Sequence, residues 1–156
     1  YDSIIAGMSI TADRVKVIDF TQNYTPPDPS AYLALTDNVD LSDAVVAAQA
    51  TTIQAAFVAQ QGWTVVEFAT PEETVAAVRN GEADAVLADK SFLDPFVGQD
   101  GLVMLPKMEQ IGGGVGMGFR KSDGEMRAKF NDAIQSMKDD GSLNKLIAKW
   151  EVATQF

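Results

Sequence analysis

Short apolar runs rich in β-branched residues alternate along this chain with segments whose apolar positions recur at helical spacing. That alternation predicts βαβ units and a largely parallel sheet. Strands are predicted at 3–6, 44–47, 65–68, 83–87, 102–105 and 115–119, with an extended crossing segment at 32–35. A first helix begins near Thr52 and would bury Ile53, Ala56, Phe57 and the stem of Gln60. A second has Thr70 as N-cap, Pro71 at its first position, Glu73 closing a capping box and Gly81 just past its end. The third repeats that logic, with Ser122 capping, Glu125 three residues on, a face of Met126, Phe130, Ile134 and Met137, and Gly141 at its end. The last starts at Ser142 and lines up Leu143, Leu146, Ile147 and Trp150.

Two stretches break the rhythm. Thr25-Pro26-Pro27-Asp28-Pro29-Ser30 must be extended or turning, because proline removes donors and pushes its predecessor out of helix. Gly112-Gly113-Gly114-Val115-Gly116 is permissive backbone, lacks the spacing of a nucleotide-binding turn, and could flank a crossing between lobes.

Composition narrows the chemistry. At 46% hydrophobic, 156 residues can bury a core as one domain or two small lobes. With neither cysteine nor histidine, the Ser-His-Asp and Cys-His nucleophiles and the common zinc sites are excluded, and no cofactor is expected. A net charge of -10 without a basic cluster argues against nucleic acid as a partner. No stretch approaches the roughly 20 apolar residues of a membrane span, and nothing at the start resembles a signal peptide. The chain instead opens directly into a predicted strand.

Four segments, in order, carry a resemblance. Ala6-Gly7-Met8-Ser9-Ile10-Thr11-Ala12-Asp13-Arg14 is followed by Asp19-Phe20-Thr21; Gln49-Ala50-Thr51-Thr52-Ile53-Gln54 opens a helix; Gly81-Glu82-Ala83-Asp84-Ala85-Val86-Leu87-Ala88-Asp89 passes from helix to strand; and Asp139-Asp140-Gly141-Ser142-Leu143 precedes Ile147-Ala148-Lys149-Trp150. Together they resemble the type 2 periplasmic binding proteins for polar amino acids. The resemblance implies an α/β fold of two lobes with mixed, largely parallel sheets. Residues 1–35 and 108–156 would form lobe one and 36–107 lobe two. Relatives have a preceding segment, so lobe one is expected to be incomplete, the pocket to lack a wall, and the isolated chain to bind amino acids weakly or not at all and to self-associate.

An α-amino acid needs a bidentate cation, N–H donors and an acceptor for its ammonium. The resemblance supplies that set. Arg14 would clamp the carboxylate, Ser9 would add donors, and Thr52, with Thr51 beside it, would meet the anion at a helix N-terminus. Asp89 and the carbonyl of Gly7 would accept from the ammonium. Blander readings stand beside these: Arg14 as a solvated residue of a first turn, Thr51 and Thr52 as caps, and Asp89 as N-cap of the Lys90-Ser91-Phe92-Leu93 segment. Asp84 reads as structural, and Trp63 and Trp150 as packing residues. Ala50 stands where relatives usually have glycine, so a positive φ there would be strained.

The implied function is capture of a polar amino acid between two lobes and delivery to the permease of an ABC importer, in the periplasm, from a secreted precursor. Alternatives are a dehydratase-type enzyme on the same fold, for which Asp89, Glu109 or Lys90 would be the available acids, and a ligand-sensing module of a receptor.

Overall fold

The computed structural model describes residues 1–156. In chain order the elements are α1 (Arg14–Val17), β1 (Asp19–Thr25), β2 (Ser30–Ala34), β3 (Val45–Gln49), α2 (Ile53–Gln60), β4 (Thr64–Phe68), α3 (Pro71–Arg79), β5 (Ala85–Asp89), α4 (Lys90–Leu93), β6 (Val103–Glu109), β7 (Val115–Phe119), α5 (Gly124–Asp139) and α6 (Ser142–Trp150). They fall into two compact units, Tyr1–Asp28 with Gly112–Phe156, and Pro29–Ile111. Division was expected after residue 35 and before residue 108; it falls instead at 28/29 and 111/112. The reason is that Ser30–Ala34 and the end of β6 are paired strands of the second unit.

The second unit is built on a five-stranded sheet of order β4-β3-β5-β2-β6. Its parallel ladders join β3 to β4 and β5; β2 runs antiparallel to both β5 and β6. Successive side chains of a strand point to opposite faces, and both faces of β2 are covered. Ala31 and Leu33 join Val75, Val78, Leu93 and Leu102, the α3 side. Tyr32 and Ala34 join Val46, Val58, Leu87 and Leu105, the α2 side. Segment 32–35, expected as a crossing, is thus mostly central strand. Because neither face meets water, it shows no polar alternation.

Helix α3 has the expected ends. The Thr70 hydroxyl accepts from the Glu73 amide at 3.3 Å while Glu73 accepts from the Thr70 amide at 2.9 Å. Helix α2 starts where expected but buries Gln54, Ala55 and Val58, with Ala56 and Gln60 exposed.

In the first unit β1 and β7 pair antiparallel. Both backbone groups of Gly118 also bond to Ile4, and Ser9 bridges Val115, so residues 4–10 run along β7. The expected strand at 3–6 reduces to that single bridge at Ile4, because Met8 N–H turns back onto Ala6 carbonyl at 2.6 Å. Strand β1 was not expected, since Asp19, Gln22 and Asn23 hide its apolar positions. Met117 and Phe119 pack with Ile134, Leu143 and Ile147 of α5 and α6. Contrary to expectation, Met126, Phe130 and Leu146 are only partly covered, Phe130 against the Phe119 ring, and Trp150 is mostly exposed. Ser122 does not cap α5; Asp123 is the N-cap residue, and Ser122 donates to its carboxylate at 3.0 Å.

Candidate ligand-binding site

The expected residues gather into two local groups, one in each unit. In the first unit Thr11 Oγ1 accepts from the Arg14 amide at 3.3 Å, just before the one-turn helix α1, whose N-cap residue is Asp13. The guanidinium Nη1 donates to Ser9 carbonyl at 2.8 Å, which aims a half-buried side chain back along the turn. Arg14 enters none of the chain's ion pairs. A guanidinium has five donors, and such an arrangement can engage a carboxylate bidentately.

The glycine run explains how Ser9 is held. Ile10 N–H bonds to Gly114 carbonyl and Gly113 N–H to Ile10 carbonyl, both at 2.9 Å. Gly114 has φ 87°, and a Cβ there would meet Thr25 carbonyl and lie 2.7 Å from Asn23 Nδ2; a Cβ on Gly116 would lie 2.8 Å from Ile10 Cδ1. Positive φ and close backbone approach require glycine at 114, whereas at 116 the nearest obstacle is the end of the Ile10 side chain. Gly7 is exposed, inside the turn that Tyr24 pins through a 2.9 Å bond to Ala6 carbonyl.

In the second unit Thr52 and Asp89 line one pocket of about 200 Å³, together with Gln49, Gln54, Thr74, Leu87 and Phe92. Thr52 caps α2, its hydroxyl accepting from the Ala55 amide at 3.3 Å and donating to Gln49 carbonyl at 2.6 Å. Asp89 ends β5, opposite Ser30 in β2. It makes no side-chain cap bond to α4; its Oδ1 instead accepts from Gln54 Nε2 at 2.7 Å. Thr51 lies outside the pocket lining and is exposed. It carries the left-handed backbone of the turn, φ 63°, so the strain anticipated at Ala50 sits one residue later.

Gln54 and Thr74 were not singled out in the sequence. The available signal was a polar residue at 54 sharing a helical face with Val58, four residues on. Asp84 is structural as expected, accepting from the Val45 amide at 2.8 Å. The other acids weighed for catalysis have local partners: Glu109 pairs with Lys107 at 3.0 Å and accepts from Tyr32 at 3.3 Å, and Lys90 pairs with Asp94 at 2.7 Å.

The first unit thus holds a turn that aims a guanidinium, and the second a pocket that ends in a buttressed carboxylate. Comparison with known proteins decides the family. The chain belongs to the bacterial extracellular solute-binding proteins, family 3, whose profile matches residues 1–153. The L-arginine-binding protein of Pseudomonas aeruginosa is 27% identical over 96% of this chain, and the histidine-binding periplasmic protein of Escherichia coli K12 is 30% identical over 96%. In both cases the chain spans 64% of the relative's length. Among solved structures, a periplasmic His/Glu/Gln/Arg/opine family-binding protein from Silicibacter pomeroyi in complex with lysine is 59% identical, with a TM-score of 0.87 covering 100% of this chain and 73% of that one. An ancestral arginine-binding protein bound to arginine is 27% identical, with a TM-score of 0.81 over 96% of this chain and 71% of that one. The fold is that of the type 2 periplasmic binding proteins. No helix is long and apolar enough to cross a membrane.

Proposed function

We propose that this family member captures an α-amino acid, a basic one in particular, in the periplasm, and presents it to the permease of an ABC importer without altering it. The observation that carries this reading is the pocket lined by Thr52 and Asp89, and Arg14, held by Ser9 carbonyl in the first unit, supports it. Arg14 takes the ligand carboxylate, with Ser9 and the α2 N-terminus near Thr51 and Thr52 adding N–H donors. Asp89 takes the ammonium, with Gly7 carbonyl as a further acceptor. Lysine in the 59%-identical relative supports a basic ligand. The net charge of -10 supports it too, since it raises the local concentration of a cation.

Calorimetric titration against the twenty amino acids tests the reading. Heat with lysine or arginine, and recovery of the ligand unchanged, is expected; a chemically altered ligand would move the assignment to an enzyme. Arg14→Ala should weaken every amino acid alike, by roughly 100-fold or more, because it removes a partner of the common carboxylate. Loss confined to one side-chain type refutes that role.

A further inference from the structure

Gln54 is the polar side chain that the pocket buries most completely for a purpose the capping and sheet bonds do not explain. It is 7% exposed in the first turn of α2, and a buried amide requires partners. Its Nε2 donates to Ser30 Oγ at 3.1 Å and to Asp89 Oδ1 at 2.7 Å. Ser30 and Asp89 face one another across the β2–β5 ladder, so one helix-borne amide ties together two neighbouring strands at the pocket.

We propose that Gln54 is the positioning residue for Asp89, fixing its carboxylate as the acceptor for the ligand's α-ammonium. This rests on the amino-acid reading above. A glutamine amide has two N–H donors, and both are committed here, so Gln54 acts through Asp89 rather than as a donor to the ligand. The amide orientation follows from the same contact: turned over, its oxygen would face a carboxylate, acceptor against acceptor. Neighbouring hydroxyls also donate inward, Thr74 to Pro71 carbonyl at 2.5 Å and Thr52 to Gln49 carbonyl at 2.6 Å. The pocket is thereby biased toward accepting from its occupant. A glutamate at position 54 would set a second carboxylate against the first and undo that bias.

The test uses Gln54→Met, which keeps the length and removes both donors. L-lysine affinity should fall about 10-fold, in line with loss of one charge-assisted hydrogen bond. Affinity for 6-aminohexanoate, which lacks the α-ammonium, should not change. In an Asp89→Ala background Gln54→Met should have no further effect on lysine. Without any ligand, the side-chain amide protons of Gln54 should exchange with solvent faster in Asp89→Ala than in the unaltered chain. Equal losses for lysine and 6-aminohexanoate, additive losses in the double variant, or unchanged amide exchange would each overturn the proposal. If the amide is coupled to Asp89 and lysine gives no heat, the amino-acid reading fails and the contact stands.

Discussion

The two units hold their candidate ligand-binding groups by opposite means. In the second unit the acidic group sits at the end of β5, the central strand of a sheet covered on both faces, and is buttressed by a buried side chain, Gln54. In the first unit the basic group rides on residues 4–14, tied to β7 by backbone bonds, with Ile5 and Val17 exposed beside it. One group should therefore fail when a side chain is removed. The other should fail when a Cβ is added.

Leu33→Ala should show the first behaviour most strongly. Leu33 is 0% exposed in β2, which pairs antiparallel with both β5 and β6 inside its sheet. Truncation should cost about 3 kcal/mol, read by denaturant unfolding; a cost below about 1 kcal/mol would mean that the sheet closes over the cavity. Gly114→Ala is its counterpart in the first unit. With φ 87° and Thr25 carbonyl in the way of a Cβ, it should cost roughly 2 kcal/mol and loosen the backbone around Ser9, visible as faster exchange of the Ile10 amide. An unaffected Ile10 amide would break the contrast.

Thr51→Gly runs the other way. Relief of a β-branched residue at φ 63° should raise stability by roughly 1 kcal/mol, measured as a higher Tm, while leaving the Thr52 cap intact. A lower Tm would show that the threonine side chain outweighs its backbone strain.

The smallest effect is alkaline. Burial, with the Glu109 carboxylate second, pushes the Tyr32 phenol above its ordinary 10.0. A raised folded value means stability that is complete below pH 10.0 and declines as pH rises toward the folded value, because the unfolded chain ionises first. Tyr32→Phe should flatten that decline in unfolding measured across alkaline pH.

Legibility in the sequence followed how local each determinant is. Thr70, Pro71, Glu73 and Gly81 specify α3 within a dozen residues, and the structure keeps all four roles. Ser30–Ala34 could not be read so directly, because three nearby prolines suggest a crossing, and burial on both faces erases the alternation that marks a strand. Strand β1 hid for the opposite reason: its polar residues answer to distant partners, as when Gln22 Nε2 donates to the Asn131 carbonyl at 2.9 Å. Arg14, Thr52 and Asp89 were visible through motif resemblance. Gln54 was not, since its role appears only when α2, β2 and β5 come together.

The chain carries one tryptophan in each unit, in contrasting settings. Trp63 is half-buried, edge-on to Phe57 with the Lys107 ammonium 4.7 Å from its ring, whereas Trp150 is 65% exposed at the end of α6. Its emission is therefore a two-channel signal. A water-soluble quencher should silence the red-edge, Trp150 component first and leave a bluer residue from Trp63, so the two units can be followed separately through unfolding without adding any label.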